Sequence, residues 1–218
     1  MKHNEQKQKA AEAALGYIKD GITLGVGTGS TVDYFIDALP AHAHRLTAIV
    51  SSSERSTARL ASRGLKVIPI TEVSDLDLYV DGADEATKHR HLLKGGGGAL
   101  TREKILAAAA RQFVCIVDAA KLVAKLGAFP LPIEIVPAAR AYVSRQIIKS
   151  KGQPVWRPGF ITDNGNEILD VHNLTIANPL ELETRFNQIP GIVTVGVFAH
   201  RPADVLLIGQ DDGVRVLE

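Results

Sequence analysis

Cysteine occurs once in the 218 residues, as Cys115 inside the apolar run FVCIVD. A single thiol closes no internal disulfide, which fits a reducing compartment. Charge of one sign is also missing: 25 Lys and Arg stand against 24 Asp and Glu, a net charge of +1. Such a balance supplies no basic footprint for nucleic acid or an anionic membrane, so any anion-binding surface must be local. No apolar run approaches the ~18 residues needed to span a bilayer. The opening MKHNEQKQKAAEAALGYI is polar and then amphipathic, without the apolar centre of a signal peptide. These absences lead to the expectation of a soluble, cytoplasmic protein with no nucleic-acid or membrane partner. What the chain does have is 45% hydrophobic residues, enough for a substantial core in one large domain or two small ones.

The first half alternates helix and strand signals. Gln6 to Lys19 read as an amphipathic helix, followed by the strand ITLGVG, a Gly/Thr/Ser turn and the helix TVDYFIDAL ending at Pro40. Next come the strand LTAIVSSS, the helix ERSTARLASRG closed by Gly64, the strand KVIPI and the strand-like LDLYVDGADE. The helix ILAAAARQFV and the strand FVCIVD complete this half. Continuous apolar strands alternating with helices predict a parallel sheet covered on both faces, an α/β Rossmann-like domain. Ligands of such sheets bind at the strands' carboxyl ends, where GTGST, SSSE and DGADE fall, so one composite site is expected.

The rhythm changes at FPLPIEIVP. A helix AARAYVSRQIIKSKG, a hairpin turning at Asp163 to Gly165, a helix PLELETRFNQIPG and a strand IVTVGVFA follow. This β-α-β-β-α-β order predicts a smaller α+β, ferredoxin-like domain. The tail ADVLLIGQDDGVRVLE reads as one more strand returning to the first domain. The expected division is therefore 1–127 plus 202–218 for the Rossmann-like domain and 128–201 for the insert.

Lys94 to Lys104 read KGGGGALTREK. Four glycines bare a stretch of backbone, and only a small ligand or another backbone needs so close an approach. A cation and a carboxylate flank it, and a helix follows with Thr101 at the expected cap, a layout suited to a small anion. Gly-rich runs also serve as flexible linkers. Glu103 lies in the first helical turn, where the dipole alone favours an acid by ~0.3–1 kcal/mol, and where an ionised carboxylate is ready to accept a proton. Lys94 either supplies positive charge to an oxyanion or phosphate, or is a surface lysine.

Gly25 to Thr31, GVGTGST, lie between strand and helix, so backbone N–H groups and hydroxyls at the helix N-terminus suit phosphate; a tight turn with a Ser/Thr cap is the plainer alternative. The dinucleotide pattern fails because Ser30 or Val32 stands where its third glycine belongs, and no P-loop lysine is present. An NAD-dependent oxidoreductase is disfavoured accordingly, and no cofactor is expected. In YVDGADE, Asp81 and Asp84 can share one ligand hydroxyl or orient one another, with Gly82 and Ala83 leaving the carboxylates exposed; a solvated acidic turn or a metal site is the alternative. A metal needs more ligands, and His89 and His91 read as part of a solvated loop, so no metal is expected. Lys121, after FVCIVD, could reach an anion from a strand's carboxyl end; Lys7, at the start of the first helix, is a weaker candidate.

In this order and spacing, GVGTGST, SSSE, YVDGADE, KGGGGALTREK and DAAKLV resemble the type A ribose-5-phosphate isomerases, and the likeness runs on through FPLPIEIVP, TDNGN and PGIVTVGVFA. The resemblance implies interconversion of ribose 5-phosphate and ribulose 5-phosphate in the non-oxidative pentose phosphate pathway, without a metal, by a Rossmann-like domain carrying an α+β insert, usually as a homodimer. It makes Glu103 the base. It assigns substrate binding to Thr28, Gly29, Ser30 and Thr31, to Asp81, Gly82, Ala83 and Asp84, and to Lys94, Gly95, Gly96 and Gly97, with Lys121 as the lysine after the next strand. The implied chemistry opens the sugar, exchanges oxygen-bound protons at Asp81, and passes the C2 proton to C1 through Glu103 and a cis-enediolate, with Lys94 and Asp84 holding hydroxyls and oxyanion. Two departures are visible. Gly98 stands where many members have Ala, and the Ser-rich turn continues as Glu54-Arg55. A non-catalytic sugar-phosphate-sensing domain of a transcription regulator is the competing expectation; its DNA-binding helices are not matched by the one helix before the first strand.

Overall fold

A computed structural model describes residues 2–73 and 75–218. In chain order the elements are α1 (Lys2–Leu15), β1 (Ile22–Val26), α2 (Ser30–Ala38), β2 (Leu46–Ser51), α3 (Glu54–Ser62), β3 (Leu76–Asp81), β4 (Glu85–Ala86), β5 (Leu92–Leu93), α4 (Leu100–Ala109) and β6 (Ala110–Asp118). They continue with β7 (Leu131–Ile135), α5 (Arg140–Lys149), β8 (Gln153–Trp156), β9 (Glu167–His172), α6 (Pro179–Asn187), β10 (Ile192–Val195), β11 (Val197–Phe198), β12 (Val205–Gln210) and β13 (Gly213–Leu217). Two compact units result: Met1–Ala83 with Arg102–Leu122 and Ala203–Glu218, and Asp84–Thr101 with Val123–Pro202. The division differs from the expected one in that Asp84–Thr101, glycine run included, groups with the insert. The cause is a small sheet, β11-β5-β4, which pairs this segment with the end of the insert.

The first unit holds a six-stranded sheet in the order β13-β12-β6-β3-β1-β2, parallel except for β13. Its strands are continuous apolar runs because both faces are covered. Leu24, Val26, Leu78, Val80, Val114 and Ile116 pack in one cluster with Ala10 and Ala14 of α1 and Val32, Phe35 and Ile36 of α2. Gly64 ends α3 as read from the sequence. Its φ is +76°, and Leu65 N–H to Leu60 C=O (3.0 Å) and Gly64 N–H to Ala61 C=O (3.0 Å) complete a Schellman closure.

The second unit holds an antiparallel sheet, β10-β7-β9-β8, with the β-α-β-β-α-β order the sequence predicts. Leu131, Ile133, Ile135, Leu169 and Val171 of the sheet pack against Val143 and Ile147 of α5 and Leu182 and Phe186 of α6. Asn178 caps α6, its side chain accepting from Glu181 N–H, and Pro179 occupies the first helical position.

Several expected elements move. KVIPI is not a strand: beyond the sheet edge at β2 it makes one ladder-like bond, Ile68 N–H to Ile49 C=O, and Pro69 has no N–H to continue. The helix read through ILAAAARQFV stops at Ala109, because residues 113–117 are buried in the middle of the sheet and join β6. The first helix stops at Leu15, not Lys19. The tail forms two strands, turning back at Asp211 and Asp212, and IVTVGVFA is divided at Gly196 into β10 and β11, which belong to different sheets.

Candidate active site

The first unit assembles its polar groups around Asp81, the last residue of β3. Directly after β1, Gly27 N–H donates to Val80 C=O at 2.8 Å. A Cβ on Gly27 would sit 1.9 Å from Asp81 Oδ1, so this turn approaches the carboxylate only as glycine. Asp81 Oδ1 accepts from Thr28 N–H (3.0 Å) and Gly82 N–H (2.7 Å), and Oδ2 accepts from the Tyr79 hydroxyl. The sequence reading left this carboxylate exposed; it is in fact 0% exposed. Period-two alternation puts Tyr79 on the same face of β3 as Asp81, and the desolvated carboxylate is stable there because three donors converge on it.

Tyr79 ionises well above the usual tyrosine range. Burial is the main cause, the Asp81 and Glu103 carboxylates come next, the hydrogen bond to Asp81 adds to it, and the Ser52 hydroxyl opposes it weakly. The phenol is therefore a neutral donor, with Asp81 and Glu103 both close enough to act on it. Glu103 lies in the first turn of α4 and is 3% exposed. Thr101 does not cap this helix: it lies inside the first turn and donates its hydroxyl to Glu134.

The GTGST turn continues into α2 through Gly29, whose φ is +119°. Ser30 opens the helix, and its Oγ accepts from Lys7 Nζ at 3.0 Å, while Thr31 is buried behind it. A helix N-terminus, a hydroxyl and an ammonium thus meet, which suits an anion. Lys121 ends a 3₁₀ turn begun by Asp118, whose Oδ1 accepts from Ala120 N–H at 3.0 Å. Gln6, next to Lys7, accepts from Ala119 N–H at 3.4 Å, linking the α1 start to the Lys121 turn.

In the second unit, Asp84 and the glycine run are joined. Asp84 N–H donates to Leu93 C=O (2.8 Å), and Asp84 Oδ2 accepts from Gly96 N–H (2.8 Å). Gly98 N–H closes a turn on Gly95 C=O at 2.9 Å. Lys94 is not a surface lysine: it is 2% exposed, its N–H donates to Gly196 C=O (2.8 Å), and its Nζ lies 5.7 Å from the Phe198 ring centre. The glycine run is thereby anchored through Lys94 and Gly96, unlike a linker.

Sequence reasoning missed three residues here. Tyr79 was hidden in an apolar strand, although its place two residues before Asp81 was the signal. Ser56 Oγ donates to Gly27 C=O at 2.7 Å and pins the GTGST turn; only the Ser-rich text hinted at it. Arg55 donates to Thr28 Oγ1 at 3.4 Å and pairs with Asp33 at 2.5 Å, a contact between α3 and α2 that no local pattern encodes.

Residues 48–213 match the family model of ribose 5-phosphate isomerase A (phosphoriboisomerase A). Ribose 5-phosphate isomerase A from Neisseria gonorrhoeae is 44% identical, with a TM-score of 0.96 over 99% of this chain and 96% of that one. The enzyme from Methanocaldococcus jannaschii is 37% identical, with a TM-score of 0.92 over 98% of each chain. A D-ribose-5-phosphate isomerase in complex with phospho-erythronic acid is 36% identical, with a TM-score of 0.95 over the full length of both chains. The agreement in sequence, fold and length establishes that this chain belongs to the ribose 5-phosphate isomerase A family and is an isomerase of ribose 5-phosphate.

Proposed function

We propose that the chain interconverts ribose 5-phosphate and ribulose 5-phosphate through a cis-enediolate, with Glu103 as the carbon-bound proton's carrier. Glu103 removes the proton from C2 of the open aldose, and the electron pair moves into the C1 carbonyl, leaving an oxyanion on O1. A proton passes from O2 to O1 by way of Asp81. Glu103 then returns its proton to C1 as the C2 carbonyl forms. A positioned base contributes ~10²–10⁴ to the rate.

The observation that carries this reading is the presence in one unit of two buried carboxylates, Asp81 at the end of β3 and Glu103 in the first turn of α4. One carboxylate is held by three donors and the other sits at a helix start, so their roles differ. The phosphate is assigned to Ser30 and Thr31 at the start of α2, with Lys7 and Lys121 as cations; the Lys7–Ser30 bond supports this. Lys94, Asp84 and the amides of Gly95, Gly96 and Gly97 take the hydroxyls and the developing oxyanion, supported by the Asp84–Gly96 bond and the burial of Lys94.

The setting is part of the same proposal: a homodimer in the cytoplasm. No described helix is long and apolar enough to cross a membrane. Cys115 is buried and forms no disulfide. Tyr142, Ile148, Val155 and Trp156 are exposed apolar side chains of the second unit that a second copy would cover.

Incubation with ribose 5-phosphate in deuterated water tests the route. Ketose carrying deuterium at C1 is expected. Ketose without label would contradict an exchanging enediolate, and no conversion at all would favour a sugar-phosphate sensor.

A further inference from the structure

Two glycines of the run, Gly96 and Gly98, touch the loop between β8 and β9, more than sixty residues later in the chain. Arg157, just after β8, donates from Nη1 to Gly96 C=O at 3.1 Å. Its other face is occupied by Asp170 on β9, with Nε to Oδ2 at 2.8 Å and Nη2 to Oδ1 at 2.5 Å. A bidentate carboxylate fixes the guanidinium plane and leaves the third edge aimed at the glycine turn. The same guanidinium lies 5.2 Å from the Phe160 ring centre. Phe160 in turn fills the space next to Gly98: a Cβ on Gly98 would meet its ring at 2.2 Å, and φ of +82° already disfavours a side chain. This accounts for the fourth glycine of the run.

The Gly96–Gly97 peptide and the peptides on either side of it are each held by a hydrogen bond. Gly96 N–H goes to Asp84, Gly98 N–H closes the turn on Gly95 C=O, and Arg157 holds Gly96 C=O. Gly97 is exposed at the tip. Its N–H belongs to the same peptide group as the Gly96 carbonyl. A cationic donor on a carbonyl polarises the peptide and makes the attached N–H a stronger donor.

We propose that Arg157, oriented by Asp170, is a positioning residue for catalysis: it fixes and polarises the Gly96–Gly97 peptide so that the Gly97 N–H donates to the oxygen that becomes negative during enediolate formation. Phe160 sets the height of the turn by packing on Gly98. This rests on the assignment of the glycine run to substrate binding. Arg157 itself touches no substrate.

The test is steady-state kinetics on ribose 5-phosphate with Arg157→Lys, checked for folding by circular dichroism. Lysine keeps the charge near Asp170 but cannot hold Asp170 in a bidentate pair and reach Gly96 as well. Arg157→Lys is expected to lower kcat tenfold or more, with KM changed less than threefold and the folded spectrum retained. Unchanged kcat in folded Arg157→Lys would overturn the proposal. Lys94→Ala separates the two levels. If it is harmless, the glycine run does not bind substrate. If it is damaging while Arg157→Lys is fully active, only the positioning role falls.

Discussion

The Tyr79 hydroxyl donates to Asp81 Oδ2 from two residues back on the same strand, and burial with two neighbouring carboxylates keeps that hydroxyl protonated. Asp81 is thus held in one rotamer by a donor that does not ionise in the working range. Tyr79→Phe removes the donor while preserving ring packing against Phe113, 5.1 Å away between centres. The expected result is a fall in kcat/KM of roughly tenfold, about 1.4 kcal/mol, measured on ribose 5-phosphate.

The same residue predicts a pH dependence of stability. Tyrosine in the unfolded chain ionises near pH ~10, and the folded-state value of Tyr79 is raised above that. The folded state therefore holds its proton where the unfolded state loses it. The contribution of Tyr79 is fully present below the unfolded pKa and is lost as pH rises from there toward the folded value. Denaturant titrations from pH 8 to 11 should show stability falling at the alkaline end, and falling less steeply in Tyr79→Phe.

Glu134 gives a stability prediction. This carboxylate is fully buried on β7 and accepts from the hydroxyls of Thr101 and Thr162 (2.9 Å to the latter) and from the amides of Asn164 (3.1 Å) and Asn166 (2.8 Å). It ties the start of α4 to the β8–β9 loop. Glu134→Ala leaves those donors without their acceptor, and each buried donor left unsatisfied costs about 1–3 kcal/mol. For a chain of this size a loss of about 3 kcal/mol lowers Tm by roughly 6–12 °C, which differential scanning calorimetry would register.

The layered organisation was legible in the sequence because apolar strands and helices alternate with clear punctuation: Gly64 ending α3, the turn at Asp163 to Gly165. What was not legible depended on distant packing. KVIPI carries strand propensity but lies outside the last paired edge. The alanines of α4 give way to β6 where the sheet, not propensity, decides. Asp81 reads as an exposed carboxylate, and a surface position stays open for Lys94, because nothing local says that three donors close over one, or that the other is buried beside Phe198. Motif text located the polar clusters; Tyr79, Ser56 and Arg157, which hold them in place, come from apolar or unremarkable stretches and are found only through contacts across the fold.

Metal dependence is a separate check. Among the described residues, no group of three or more His, Cys, Asp or Glu side chains converges as a cation site, and the proposed route uses only carboxylates, amides and lysines. Exhaustive chelation is expected to leave kcat unchanged. Activity lost to the chelator and restored by a divalent ion would require a different mechanism.

The central claim is that Glu103 carries the proton between C2 and C1, and Glu103→Gln tests it most directly. The substitution keeps size and hydrogen-bonding capacity while removing the base. Turnover of ribose 5-phosphate should be abolished, while calorimetric titration shows sugar-phosphate affinity within about tenfold of the original, about 1.4 kcal/mol. Normal turnover in the folded variant would contradict the assignment.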